Sequence, residues 1–232
     1  MSTLPALYAP PSIDNWLGSD ALGGSFLIVL LKSTALTMLD VASAASLALL
    51  LGFLIAIFGS IYRNQLGRFV FRIASTFSFA TPLIAVLLLL YSIFGDAPFV
   101  FPLTVGCLLW GSAALILQTA ISQEWQSEYI KAARGFGNTR LRLIIGHLLP
   151  NLLDPIRAAW VASWPAMLSA SILTAYLGAS GGSPRLGSLL RTGYELFPAA
   201  WWLWLPPTVI VSASFAAVFA LSGFSENRRR RS

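Results

Sequence analysis

The sequence predicts an all-α membrane protein with five transmembrane helices. Of its 232 residues, 56% are hydrophobic and 10% are charged, a more apolar composition than an ordinary soluble domain can accommodate in its core. Five continuously apolar stretches reach the roughly 20 residues that a helix needs to cross a bilayer. They lie near residues 34–61, 76–95, 101–121, 155–178 and 201–223. Continuous apolar stretches exclude a transmembrane β-barrel, whose strands alternate apolar and polar residues.

The first predicted span carries a stripe of small residues and one carboxylate. Ala44, Ala48, Gly52 and Ala56 recur at every fourth position, the spacing of a face on which membrane helices pack closely. Asp40 lies in the outer part of the same span. An ionisable residue at that depth indicates a translocation pathway, although a contact to another helix or a watery crevice explains it equally well.

Polar residues and prolines in the later spans are further candidates for the translocation pathway. Thr81-Pro82 interrupts the second span and predicts either a hinge in the pathway or an ordinary proline kink. The third span contains Trp110, and the fourth contains three hydroxyl side chains that suit a polar path: Ser169, Ser171 and Thr174. The fifth span opens with a group typical of an interfacial aromatic belt: Trp201, Trp202 and Trp204.

The basic residues predict the orientation, because short cytoplasmic loops carry an excess of Lys and Arg. With five spans, most of them fall on the side of the C-terminus: Arg63, Arg68, Arg72, Lys131, Arg134, Arg140, Arg142, Arg157 and the run 228–231. The N-terminus is therefore predicted outside and the C-terminus in the cytoplasm. The predicted parts are an extracytoplasmic tail with an interfacial helix (1–33), a transmembrane domain (34–223) with a cytoplasmic loop segment (123–154), and a basic cytoplasmic tail (224–232).

The loop segment, residues 123–154, has the composition of a docking site for a soluble partner. It is basic and amphipathic, yet it connects two apolar stretches, so it must lie in water. Ala132 and Ala133 let another backbone approach, and Gly137 permits a sharp turn at little steric cost. A second helix is expected from residue 141 to 148, with Pro150 ending or bending it. An amphipathic helix at the membrane surface without any partner is the alternative.

The spacing in the loop segment resembles the EAA loop of ABC-importer permeases. Lys131-Ala132-Ala133 is followed by Gly137, then by His147 and Leu149-Pro150. Lys131 stands where that family usually has Glu. The stretch W-L-G-S-D-A-L-G at residues 16–23 is similar to a signature of the peptide, nickel and opine permeases. Y-L-G at 176–178 and P-R-L-G at 184–187 resemble two later signatures of that branch.

The resemblance implies a type I ABC-importer permease fold in the bacterial inner membrane. The implied partners are a homologous second permease, two ABC ATPases that bind ATP and Mg²⁺, and an extracytoplasmic binding protein. The ATPase would dock on Glu128, Tyr129, Lys131, Ala132, Ala133, Gly137, His147, Leu149 and Pro150. The binding protein would contact Asp20, Arg185 and Arg191, near a short amphipathic helix expected at 185–197. The implied substrates are peptides, nickel, or metallophore- and opine-like solutes. The family's first helix has no counterpart before residue 16, which agrees with an N-terminus outside.

The residue pattern disfavours other functions. No phosphate-binding loop of the form G-x-x-x-x-G-K-S/T occurs, so ATP hydrolysis is expected on a partner subunit, and no cofactor is expected in this chain. Cys107 and His147 each lack further ligands at metal-binding spacing, and no catalytic constellation is evident. The terminal arginines are expected to contact the lipid bilayer and not nucleic acid. A secondary transporter or channel that works without ATP is the alternative, which inverted repeats or several mid-membrane charges would favour.

We expect reporter fusions to reveal five spans with the N-terminus outside. Fusions after Ser12 and Ser183 should report an extracytoplasmic position, and fusions after Gln65, Asn138 and the C-terminus a cytoplasmic one. The physical reason is the basic-residue asymmetry. An extracytoplasmic Asn138 would contradict both the topology and the docking role of the loop segment.

Overall fold

The computed structural model describes residues 8–13, 15–61, 72, 76, 82–95, 97–135, 140–179 and 183–229. The first of its two compact units contains Met1–Ala42, Ile84–Phe101 and Leu168–Ala217, and the second contains Ser43–Leu83, Pro102–Met167 and Val218–Ser232. Regular structure in the described residues is helical, apart from one antiparallel bridge between Ser19 and Ser25. The helices are α1 Phe26–Ile61, α2 Leu83–Phe94, α3 Val100–Leu108, α4 Trp110–Trp125, α5 Glu128–Gly135, α6 Arg140–Leu143, a π-helical turn Ile144–Leu148, α7 Leu149–Asn151, α8 Leu153–Tyr176, α9 Leu186–Glu195 and α10 Trp201–Arg229.

Three described helices are long and apolar enough to cross a membrane. These are α1 over Phe26–Ser60, α8, and α10 over Trp201–Ala220, while α3 and α4 together, bent by 46°, form a fourth candidate. The predicted second span is represented by α2 alone, which has 12 residues and is too short to cross by itself. Residues 77–81 of that predicted span, including Thr81, lie outside the described residues. The five-span count and the orientation therefore stay predictions.

Helix α1 begins at Phe26, well before residue 34, where the first span was predicted to begin. Its 35-residue candidate span is about 52 Å long at 1.5 Å per residue. That length exceeds the ~30 Å hydrocarbon core of a bilayer. When α1 spans the membrane, its ends therefore reach the level of the lipid headgroups.

The interfacial helix predicted near Asp20 is wrong for the described residues 15–25, which form turns. Gly18 and Gly23 have φ values of 73° and 76°, in the left-handed region that interrupts a helix. The Asp20 Oδ1 atom accepts hydrogen bonds from the backbone N–H groups of Leu22 (2.9 Å) and Gly24 (2.7 Å). An Asp side chain that caps its own turn in this way competes with helix formation.

The aromatic belt predicted at the start of α10 is also only partly correct. Trp201 is half exposed, but Trp202 is 9% exposed and packs in the core of the first unit with Phe26 and Leu203. A Cβ atom on Gly18 would lie 2.9 Å from the Trp202 ring. The indole of Trp202 therefore packs under the tail and is not exposed at the surface.

The small-residue stripe of α1 packs closely, as predicted. All four of its members are buried: Ala44, Ala48, Gly52 and Ala56. A Cβ atom on Gly52 would lie 2.9 Å from the backbone nitrogen of Ala114 and 3.0 Å from the carbonyl oxygen of Trp110. The missing side chain lets the backbones of α1 and α4 meet within the second unit.

We expect Gly52→Ala to destabilise the protein by about 1–3 kcal/mol, the usual cost of overpacking, because its methyl group would meet backbone atoms that cannot rotate away. Gly135→Ala is the control, since a Cβ atom there has no neighbour within 4 Å. The measurement is the thermal unfolding midpoint of the purified protein in detergent. Equal midpoints for the two variants would contradict the close approach.

Candidate functional site

The loop segment is anchored in the core of the second unit. Four of its leucine and isoleucine side chains are almost completely buried: Ile130, Leu143, Leu148 and Leu152. They belong to one hydrophobic cluster that also contains Leu117, Ile121 and Trp125 of α4. Burial of each such side chain contributes about 1.5–3 kcal/mol, so the segment is held firmly against α4.

Hydrogen bonds among three polar side chains also link α5 to α4 and α7. The Tyr129 hydroxyl group of α5 donates a hydrogen bond to Glu124 Oε2 of α4 at 2.8 Å, and Asn151 Nδ2 of α7 donates to the Tyr129 oxygen at 2.8 Å. Burial raises the pKa of the Tyr129 phenol above its ordinary value, and the hydrogen bond to Glu124 raises it further. The phenol therefore stays protonated at neutral pH and keeps its donor role toward Glu124.

The outward face of α5 combines one exposed ion pair with two very small residues. Glu128, Lys131, Ala132 and Gly135 are exposed and follow the i, i+3, i+4, i+7 spacing of one helical face. Lys131 Nζ lies 2.7 Å from Glu128 Oε1. An ion pair this exposed contributes little to stability. The face is therefore accessible, and its two small residues leave open space beside the backbone of α5.

The remaining motif residues occupy an irregular stretch. His147 lies in the π-helical turn, in which the Leu149 N–H group donates to the carbonyl oxygen of Ile144, five residues back. Pro150 is exposed and has no N–H group to donate to the carbonyl of residue 146. Pro150 lies in the first turn of α7, which ends at Asn151, and its predicted role in ending or bending the second helix stays a prediction. Gly137 lies outside the described residues.

In the first unit, Asp40 and Arg185 form an ion pair that joins α1 to the start of α9. Arg185 Nε lies 2.8 Å from Asp40 Oδ2, and each side chain is only 13% exposed. Beside the pair, the Leu186 N–H group donates to Thr37 Oγ1 at 3.1 Å. The Arg185 N–H group donates to Ser188 Oγ at 3.0 Å. The first turn of α9 is thus fixed on α1 by its backbone as well as by charge.

Two glycines let α9 pack tightly against its neighbours. A Cβ atom on Gly187 would meet the carbonyl oxygen of Ile172 and lie 2.8 Å from the nitrogen of Tyr176, both in α8. A Cβ atom on Gly193 would lie 2.6 Å from Trp204 Cβ of α10. The short helix predicted at 185–197 is confirmed by α9 at Leu186–Glu195, and Gly187 of the P-R-L-G signature seats it on α8.

The family described as "Binding-protein-dependent transport system inner membrane component" matches residues 48–231. The chain belongs to this family. It is accordingly a multi-pass protein of the bacterial inner membrane, in keeping with its long apolar helices. The matched range includes the whole loop segment and the P-R-L-G signature.

Named relatives agree with this membership. The inner membrane ABC transporter permease protein YejE of Escherichia coli (strain K12) is 28% identical over 200 residues, covering 83% of this chain. The oligopeptide transport system permease protein OppC of Bacillus subtilis (strain 168) is 27% identical over 178 residues, covering 75%. The chain spans 57% of the length of each of these two relatives.

Two solved transporters share the fold. A chain of the MetNI methionine ABC transporter, in inward-facing conformations, aligns with a TM-score of 0.66 and 19% identity over 89% of this chain and 97% of its own length. A chain of an amino acid ABC transporter gives a TM-score of 0.56 and 20% identity over 89% of this chain and 95% of its own length. At identities of 19% and 20%, this likeness shows the fold of the chain and nothing further.

The residues predicted to line a pathway differ in their exposure. Ser171 and Thr174 are 4% and 1% exposed, and Thr174 Oγ1 donates to the Ala170 carbonyl within α8. Ser169 is exposed on the same helix. Trp110 is buried against Gly52. Pro82 is exposed just before α2. Among the described candidates, Ser169 and Pro82 are exposed and Asp40 is 13% exposed, and the pathway stays a prediction.

The residues predicted to meet a binding protein also differ in accessibility. Arg191 is exposed and pairs with Glu195 at 2.9 Å along α9. Arg185 is largely enclosed by its pairing with Asp40, so its charge is directed inward. Asp20 caps a turn of the tail. Among the described residues, no group of three or more His, Cys, Asp or Glu side chains comes together to hold a metal.

Sequence reasoning missed Thr37, Ser188 and Asn151, each of which makes a structural hydrogen bond. A signal for Thr37 was present, because Ser33, Thr37 and Asp40 follow the i, i+4, i+7 spacing of one polar face of α1. No comparable spacing marks Asn151. Its partner Tyr129 is 22 residues away and reached only through the irregular turn.

We expect Arg185→Met to cost about 3–5 kcal/mol of stability, because it leaves the enclosed Asp40 carboxylate without its cation. The double variant Asp40→Leu/Arg185→Met should be more stable than Arg185→Met alone, since no unpaired charge remains. The measurement is denaturant unfolding in detergent micelles. Arg191→Met, which breaks an exposed pair, is the control and should cost at most about 1 kcal/mol. Additive losses in the double variant would show that the pair carries no such coupling.

Proposed function

We propose that this chain is a membrane-spanning permease subunit of an ATP-driven importer for peptides. The observation that carries the proposal is the two-sided loop segment, exposed and small on one face of α5 and buried against α4 on the other. Family membership and relatives named for oligopeptide and dipeptide transport support it. Nickel and metallophore- or opine-like solutes are the other substrates that the sequence signatures suggest.

In this proposal, an ABC ATPase docks on the face formed by Glu128, Lys131, Ala132 and Gly135. Because Ala132 and Gly135 are small, α5 can enter a groove of the ATPase. The Glu128–Lys131 ion pair then orients the ATPase on this face. Displacement of α5 passes to α4 through the buried Ile130 and through the Tyr129–Glu124 hydrogen bond. Two ATPases that close on ATP and Mg²⁺ then supply the free energy for transport, and the permease forms the path for the substrate.

The remaining partners follow from the same proposal. A homologous second permease completes the path, and Ser169 is the exposed hydroxyl of α8 assigned to it. An extracytoplasmic binding protein delivers the substrate. Arg191 and Glu195, on the exposed side of α9, are the charges assigned to its recognition.

The complete complex in liposomes, with its binding protein, should accumulate a peptide when ATP is supplied on the ATPase side, even after ionophores collapse all ion gradients. Ala132→Trp should lower ATPase co-purification and uptake by about tenfold or more, because a large ring on the docking face would displace a partner at a cost above about 1.4 kcal/mol. Uptake and co-purification are both measured on the same preparations.

The matched control is Ala199→Trp, the same change at an exposed position of the loop predicted outside. It should leave ATPase binding unchanged. Uptake that ionophores abolish while ATP remains would identify a secondary transporter or channel instead. Full ATPase binding by Ala132→Trp would remove α5 from the docking role.

A further inference from the structure

A cavity of about 430 Å³ lies within the first unit, where the tail, the start of α1 and α9 meet. Its volume falls in the range of about 300–1,000 Å³ that is typical of sites for small ligands. Most of its wall is apolar, and its polar residues come from three different segments: Tyr8, Asp20, Lys32 and Thr192.

The tail forms a fixed wall of this cavity. The Ala9 N–H group donates to Ser19 Oγ at 2.7 Å, and the Phe26 N–H group donates to the Gly18 carbonyl at 3.1 Å. Gly18 itself lies against the buried Trp202 ring. These contacts hold Asp20 over the first turns of α1, so the site is built before any ligand arrives.

Two opposite charges line the cavity without pairing with each other. Asp20 uses Oδ1 for both of its turn hydrogen bonds, and within the described residues Oδ2 accepts no hydrogen bond, so Oδ2 is open to a ligand. Lys32 makes no ion pair or hydrogen bond within the part of the chain that the structure describes. A ligand that suits both groups carries a negative and a positive charge of its own.

The rim of the cavity is strongly apolar. Leu22 and Ile28, which both line it, are 86% and 67% exposed. The first turns of α1 reach headgroup level when α1 spans the membrane, because the helix is longer than the hydrocarbon core is thick. A ligand with a zwitterionic head and apolar chains, arriving from the bilayer, would match these features.

We propose that this cavity binds one membrane phospholipid whose headgroup combines a phosphate with a primary ammonium. The phosphate pairs with Lys32. The ammonium donates to Asp20 Oδ2 and to Thr192 Oγ1, whose own hydrogen is directed to the Ser188 carbonyl at 3.2 Å. The acyl chains leave over Leu22 and Ile28 into the surrounding lipid. A soluble peptide offers no long apolar chain for that rim, and the site is independent of the transport function proposed above.

The test is native mass spectrometry of the full-length protein, purified in a mild detergent after exchange with equal amounts of phosphatidylethanolamine, phosphatidylcholine and phosphatidylglycerol. We expect one retained phosphatidylethanolamine, in preference to the other two lipids. Phosphatidylcholine has no N–H group to donate to Asp20, and phosphatidylglycerol has no ammonium. Asp20→Asn keeps an oxygen for the turn but loses the charge, and Lys32→Gln loses the cation. Each should lower retention by about tenfold, the loss of one charge-assisted hydrogen bond.

Arg191→Gln is the matched control, because it removes a cation of the same unit outside the cavity and should retain the lipid. Thermal unfolding of each variant in the same detergent verifies that the fold is kept. Retention by Lys32→Gln equal to that of the unmodified protein would overturn the proposal. So would a preference for phosphatidylglycerol, or a co-purified peptide in place of lipid.

Discussion

The ion pair between Asp40 and Arg185 is the constraint on which the first unit depends. Helix α9 has 10 residues, too few to be stable alone in water, so its position must come from tertiary contacts. The pair and the Thr37 hydrogen bond fix its first turn on α1, and the two glycines then bring it against α8 and α10. Because Thr192 and Leu189 of the same helix line the cavity beside the tail, that cavity also depends on the pair. The position of α9, and of the cavity wall that it forms, therefore depends on this one ion pair.

Helix α1 achieves its packing with two different chemistries along one face. Its first half buries the polar side chains of Ser33 and Thr37, and hydrogen bonds satisfy them, as burial of polar groups requires. Its second half buries only small residues, and Gly52 meets the backbone of α4 directly. The hydrophobic effect does not drive helices together inside lipid, so hydrogen bonds and close backbone contact are the forces that remain. The second half of α1 uses both, because Ser60 and Ser46 also form hydrogen bonds with Ser122 of α4 and Trp160 of α8.

Composition and spacing predicted the helical class, the stripe of α1, the two-helix loop segment and the short helix after residue 185. Each of these rests on a local pattern, which a sequence displays directly. Asp40 was identified as unusual but not its partner, because Arg185 is 145 residues away and nothing local links the two. The turns around Asp20 were missed because Asp20 hydrogen-bonds its own backbone, and such local bonds compete with helix formation. Burial of Ser171 and Thr174 was equally invisible, since their hydroxyl groups are satisfied within α8 or enclosed by neighbours that come from elsewhere in the chain.

The loop segment illustrates why adjacent residues of one motif need not share a role. Ala132 is exposed and lies on the face that carries Lys131, whereas Ala133 is half-buried and packs against the cluster of Ile130 and α4. Successive helical positions are turned by about 100°, so a pair of small residues serves two surfaces at once. The small side chain of Ala132 leaves room for a partner on the outer face. The small side chain of Ala133 lets α5 lie close to the hydrophobic cluster of the second unit. The docking role proposed for α5 requires both properties, since an outer face without the inner anchor would yield locally when the partner moves. The buried Ile130 and the Tyr129–Glu124 hydrogen bond provide that anchor between α5 and α4.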